Sequence, residues 1–271
     1  MFLVSQAKQA VRHTIATHRR SPPMIALHKA AEFFDAAWRN EGSDLGSNGE
    51  RFVIDRLRRA DFRLAIDAGA HTGDWSLQAL SAWPTCQVIH AFEVAPRTFD
   101  ELANARMRSE DRARLIVYPQ GLSDSAGKQT MYFFPEDPQL TCDIARHDSR
   151  KSVPFEATLT TLDAFCSEKG IDTVDFLKID VEGAEHRVLK GADQILRRTS
   201  CVQFEYGPFS IQTRFLLQDY FALLSDRFWI GKVYPNYIAF GDYDWREENF
   251  RFCNYLCVAK ARPELRSMLA R

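Results

Sequence analysis

Six cysteines occur in 271 residues, but none forms a C-x-x-C pair. The usual spacing of a structural zinc site is therefore missing. A chain this long buries enough core to need no covalent staples, so reduced thiols are the expectation. No apolar run approaches the length of a membrane span. The opening tract "MFLVSQAKQAVRHTIATHRR" is too short in hydrophobic residues for a signal peptide. A cytoplasmic location is expected. Excess charge is missing too: the formal net charge is −1, which does not favour nucleic acid or an anionic membrane as partner. Locally, acid is what is missing. No Asp or Glu precedes Glu32, whereas Lys8, Arg12, Arg19, Arg20 and Lys29 do. That composition resembles a transit peptide or a basic docking helix, and the plainer reading is a solvated helix packed by Val4, Val11 and Ile15. There is no internal repeat and no low-complexity tract.

What is present has a clear rhythm. Pro22-Pro23 breaks the first segment, and helical spacing resumes through Ile25, Leu27, Ala30, Phe33, Phe34, Ala37 and Trp38. Turn chemistry in "NEGSDLGSNGE" marks a connection, followed by a third helix over about 50–59. Short apolar strands then alternate with helices: "FRLAIDAGA", "QVIHAFEV", "ARLIVYPQGLSD", "VDFLKID" and "CVQFEYG". This pattern predicts βαβ units and a mainly parallel sheet. The last third, with "RFWIGKVYP", "YIAFG" and "RFCNYLCVAK", reads as antiparallel strands. The span 134–155, containing His147, reads as a long loop suited to roof a site. The expected division is an N-terminal helical extension over 1–60, an α/β domain over 61–262 and a tail over 263–271.

In open parallel sheets, ligands bind beyond the carboxyl ends of the strands. The first strand delivers "DAGAHTG", with Asp67 at its end and Gly69 and Gly73 in the turn into a helix. The spacing is not the G-x-G-x-x-G of a dinucleotide site, and an acid precedes the glycines, where a pyrophosphate would meet a carboxylate. S-adenosylmethionine suits this loop better, since it brings an ammonium and a sulfonium to the acid and a small carboxylate to the helix start. Glu93, ending the second strand, is placed to take both ribose hydroxyls. Ser123 or Asp124, in "GLSD", could hydrogen-bond an adenine edge, or simply form a turn.

The stretches "IDAGAHTGDWS", "HAFEVAPRTFDEL", "GLSD" and above all "LKIDVEGAEHRVLKGA" resemble the FkbM family of S-adenosylmethionine-dependent methyltransferases, over roughly 49–260. The resemblance implies the class I methyltransferase (Rossmann-like) fold, an α/β seven-stranded mainly parallel sheet with one antiparallel strand, flanked by helices. It implies S-adenosylmethionine as cofactor and O-methylation of a hydroxyl on a sugar, glycan or secondary metabolite. Ala70, His71, Val94 and Asp180 join the residues expected around the donor. Val94 stands where many relatives carry Pro, and His71 where many carry Asn.

The acids Asp180, Glu182 and Glu185 crowd the end of the fourth strand. Asp180 is the first candidate for the base that receives a hydroxyl proton, Glu205 the second and His186 the third. Helix-start chemistry accounts for Glu185. Asp180 and Glu205 could jointly hold a divalent cation, but two carboxylates are too few to demand one, so no metal is expected. Two other readings stay open: a nicotinamide-dependent oxidoreductase, and a non-catalytic binding module whose aromatic tail (Trp229, Tyr234, Tyr237, Tyr243, Trp245) stacks on carbohydrate rather than packing in the core.

Overall fold

The computed structural model describes residues 2–42, 44–137, 141–143 and 151–270; His147 lies outside them. The chain divides into a unit over 1–41 and a unit over 42–271. The first consists of α1 (Phe2–His18) and α2 (Pro22–Arg39). Pro22 and Pro23 start α2 where missing N–H groups cost nothing, and Asn40 ends it in the left-handed conformation. Val11 and Ile15, expected to pack, are exposed.

The second unit opens with α3 (Glu50–Arg56), continued by a short 3-10 turn. Val53, Ile54 and Leu57 are buried in its core, so the boundary drawn at residue 60 falls inside this unit. Strands β1 (Leu64–Ala68), β2 (Val88–Phe92) and β3 (Leu115–Tyr118) follow, with α4 (Asp74–Ala82) and α5 (Pro96–Arg108) between them. Next come β4 (Gly121–Leu122), β5 (Gly127–Phe133), β6 (Val153–Thr160), α6 (Leu162–Lys169), β7 (Val174–Ile179), α7 (Glu185–Lys190) and β8 (Thr199–Tyr206). The chain then forms α8 (Phe209–Thr213), α9 (Leu217–Leu224), β9 (Phe228–Tyr234), β10 (Tyr237–Phe240), β11 (Cys253–Ala259) and α10 (Pro263–Leu269).

The main sheet runs β10-β9-β11-β8-β7-β1-β2-β3. The strands from β8 to β3 are parallel neighbours, while β11 is antiparallel to both β8 and β9. Seven strands with one reversed member match the expectation, and β10 adds an eighth at the edge by hairpin pairing. Alternate residues of each strand feed opposite faces, as a period of two dictates. Ala65, Phe176 and Cys201 pack with α3, α4 and α10, whereas Ile66, Leu177 and Val202 pack with α6, α7 and α9. Burial on both faces explains why these strands read as continuous apolar runs.

Three elements depart from the sequence reading. The expected third strand "ARLIVYPQGLSD" is two strands: β3 ends at Tyr118, and Gly121–Leu122 belongs to a second sheet, β4-β6-β5. That small sheet occupies part of the span read as loop, since β6 begins at Val153. The tail after 262 is the helix α10, whose Leu265 and Leu269 are buried. All six cysteines are buried, and none of them forms a disulfide.

Candidate active site

A cleft enclosing about 1320 Å³, open solvent included, lies at the carboxyl ends of β1, β2, β7 and β8. Parallel register brings the strand ends level: Ala68 pairs with Ile179, and Ile179 with Phe204. The residues that follow, Gly69, Asp180 and Glu205, therefore open into one space.

One side of the cleft is built from the turns after β1 and β2 and from β4. Gly69, Ala70, His71 and Thr72 line it after β1, Glu93 and Val94 after β2, and Gly121, Leu122 and Ser123 around β4. Gly69 has φ of +83°, and a Cβ there would lie 1.7 Å from the Asp180 carbonyl oxygen. Only glycine lets the β1 turn press this closely on the β7 turn. Glu93 is buried, and its carboxylate accepts from the amides of His71 (3.0 Å) and Ala95 (2.8 Å). Burial pushes its carboxyl up to about 7, against the downward pull of those amides. A carboxylate offers about four acceptor positions, so Glu93 can still accept from a hydroxyl.

The other side is made of buried charge. Lys178 is 2.9 Å from Asp180 and 3.8 Å from Asp67. Burial works against its ammonium, but Asp180, Asp67 and Glu50 together outweigh it and hold the proton more firmly than usual. Glu50, at the start of α3, accepts from Asn48 (2.9 Å) and Gln203 (2.6 Å), and Gln203 also donates to Asn254 (3.2 Å). Glu205 is driven well above the ordinary carboxyl range, first by burial and then by Asp180, Glu182 and Glu185. One oxygen from each of Asp180, Glu182 and Glu205 lies within 4.8 Å of the others.

The crowding of acids after β7 now has a physical account. Glu182 and Gly183 both take positive φ, and the turn they form is clamped by Glu185, which accepts from the amides of Val181 (3.0 Å) and Gly183 (3.1 Å). Glu185 is thus a loop clamp rather than a cleft residue, with its carboxyl pushed by burial up to about 7. Asp180 has a cation, Lys178, which it shares with Asp67. Repulsion is offset by that ammonium and by the amides that Glu185 clamps.

Several expected site residues are placed elsewhere. Asp67 is fully buried beneath the cleft, where it accepts from Ser76 of α4 (2.7 Å). It supports Lys178 and the α4 start instead of meeting the donor directly. Gly73 caps α4 against Leu102. Asp124 is exposed and does not line the cleft, whereas Ser123 does. His186, the third catalytic candidate, is turned away and stacks on Phe215 at 5.0 Å. Tyr234 and Tyr237 stack on each other in the β9–β10 hairpin, and none of the tail aromatics lines the cleft.

Sequence reading missed Glu50, Lys178 and Asn254. A lysine inside an otherwise apolar strand and an asparagine inside "FCNYLCVA" were the available signals, because a buried polar group needs a partner. It also missed the wall facing Arg187. There Asp143 bonds Arg187 at 2.8 Å and accepts from Gln129 of β5 at 3.0 Å.

Seven strands with one reversed member, extended by the edge strand β10 and carrying a glycine turn and an acid on successive strand ends, form the class I methyltransferase fold. Residues 67–228 match the family described as "Methyltransferase FkbM domain", and the chain belongs to that family. It is 28% identical over 194 residues to "Methyltransferase sdnD" of Sordaria araneosa, covering 60% of this chain and 74% of that one. It is 27% identical over 199 residues to "2-O-methyltransferase NoeI" of Sinorhizobium fredii, covering 68% and 78%. Among solved structures, methyltransferase FkbM from Methylobacillus flagellatus superposes with a TM-score of 0.46 at 16% identity, covering 72% of this chain and 44% of that one.

Proposed function

We propose that the protein transfers a methyl group from S-adenosylmethionine to a hydroxyl of a sugar, glycan or secondary metabolite, with Asp180 receiving the hydroxyl proton. The observation that carries this reading is the placement of Asp180 and Glu205 side by side in the cleft, next to the glycine turn at Gly69. The name of the relative from Sinorhizobium fredii specifies O-methylation and supports the choice of acceptor atom.

The residues present suit the donor. Gly69, Ala70 and His71 line the cleft beside the glycine turn, Glu93 suits the ribose hydroxyls, and Ser123 and Val94, which also line it, suit the adenine. The donor supplies an electrophilic methyl on a sulfonium. An alcohol gains nucleophilicity only as its proton leaves, so the protein must provide an acceptor at hydrogen-bond distance. Asp180 and Glu205 are not equivalent in that role. Burial and the neighbouring acids make Glu205 hold its proton more tightly than an ordinary carboxyl, and in its protonated form it donates a hydrogen bond that orients the acceptor oxygen. Asp180, ion-paired with Lys178, is the carboxylate left to accept.

Incubating the protein with labelled donor and a panel of hydroxylated acceptors tests the reading. Asp180→Asn should lower turnover by about 100-fold or more while donor affinity, read by calorimetry, changes less than about threefold. Turnover that survives the substitution intact would remove Asp180 from the mechanism. Absence of donor binding by folded protein would remove the function itself.

A further inference from the structure

The unit over 1–41 buries no residue along α2 and none among residues 6–18 of α1. Phe33, Phe34 and Trp38 are 78%, 67% and 74% exposed, and Phe34 and Trp38 lie stacked one turn apart. Leu27, seven residues before Phe34, shares their face and is also exposed. An aromatic face of this kind is not left to water without an occupant. Glu32 and Asp35 flank the aromatics, and Asp35 is paired with Arg39 at 3.0 Å, but the balance of the unit is basic. Lys8, Arg12, Arg19, Arg20 and Lys29 precede the first acid, and the unit carries six Lys and Arg against three Asp and Glu. The rest of the chain is net acidic.

We propose that α1 and α2 dock in the plane of an anionic membrane surface, with Leu27, Phe34 and Trp38 sunk at the headgroup boundary and the cations facing lipid phosphates and carboxylates. Both halves of the pattern are needed for this partner: apolar area gives insertion, and each basic residue adds attraction to anionic lipid. Arg12 adjoins Val11, and Lys8 lies three positions before Val11 on the same helix face, which lets their stems lie along apolar surface while their heads reach the lipid. Neither alternative satisfies both halves. A nucleic acid would use the cations and leave the aromatic face in water. A second copy would cover the aromatics and bring two basic arms together. No described helix is long and apolar enough to cross a membrane, so the attachment is to the surface.

Flotation of the full chain with phosphatidylcholine vesicles, with and without phosphatidylserine, tests this. Binding to the anionic vesicles should exceed binding to the neutral ones at least about tenfold and should weaken as salt is raised. The variant F33S/F34S/W38S should lose vesicle binding, and K8E/R12E/R19E should lose the preference for phosphatidylserine. Neither set lies in the cleft, so unchanged melting and donor binding certify the fold. Failure to float with either vesicle overturns the proposal, as does flotation indifferent to both variants. Light scattering that shows a dimer lost in the aromatic variant, without flotation, assigns the face to a second copy. Retention of RNA without flotation assigns the cations to nucleic acid.

Discussion

The two sides of the cleft are built from different materials. On the β1–β2–β4 side, a glycine turn pressed on the β7 turn stands beside one acid, Glu93, held by two amides. On the β7–β8 side it is a buried charge cluster in which Lys178 serves Asp180, Asp67 and Glu50. A ligand common to a whole family can be met by backbone, which no side-chain change alters. A hydroxyl to be deprotonated needs charge, and buried charge must be balanced within the protein. Substitutions should therefore fail differently on the two sides: through stability and turnover near Lys178, through donor affinity near Glu93.

The largest effect is expected from Lys178→Met. It removes the cation and leaves Asp67, which is fully buried, and Asp180 without it. Breaking one partner out of such a cluster costs about 3–5 kcal/mol, readable as a loss of unfolding free energy in denaturant titrations. The deficit should narrow at pH 5, as the orphaned acids take up protons. An equal deficit at both pH values would mean that Lys178 acts by packing rather than by charge.

Glu93→Gln tests the other side, with a smaller and different outcome. Donor affinity should fall about tenfold with little loss of stability. Because burial holds Glu93 up to about 7, wild-type affinity should rise between pH 6 and 8 as the carboxylate forms, and the variant should lose that rise. Stability runs the opposite way. Glu93 and Glu185 bind protons more tightly folded than unfolded, so their contribution is complete below the ordinary value of 4.5 and is lost as pH climbs through 7. Melting curves of donor-free protein should therefore show a decline from pH 5 to 7.5, smaller in Glu93→Gln. A donor affinity flat across that range in the wild type would break the link between Glu93 and the ribose.

The same contrast explains what the sequence could and could not disclose. Gly69, Glu93 and Ser123 each sit in a contiguous strand–turn signature, so their side of the cleft was legible as local chemistry. The β7–β8 side is assembled from residues far apart in the chain. Glu50 lies in a helix that reads as part of an extension, Lys178 in a strand interior, and Asn254 on β11. Only strand order brings them together. Asp67 misled for a related reason: residue type at a strand end gives proximity to the cleft, but whether a side chain faces it depends on the strand's alternation. The second sheet escaped because β5 and β6 are half-exposed and flank a proline-bearing segment, and so lack the apolar runs that mark the buried strands.

The smallest expected effect concerns metal. Three carboxylates within 4.8 Å of one another would ordinarily invite a divalent ion. Here the charge to be neutralised is already much reduced. Lys178 lies against Asp180, and burial holds the Glu205 proton more tightly than an ordinary carboxyl does. A divalent ion would have to expel that proton and compete with the ammonium, and Lys178 cannot move away without abandoning Asp67. Turnover after exhaustive chelation should therefore stay within about twofold of the untreated rate. A larger loss, restored by magnesium or manganese, would recast Glu205 from hydrogen-bond donor to metal ligand. The β7–β8 side would then have balanced its charge with an ion in place of a proton.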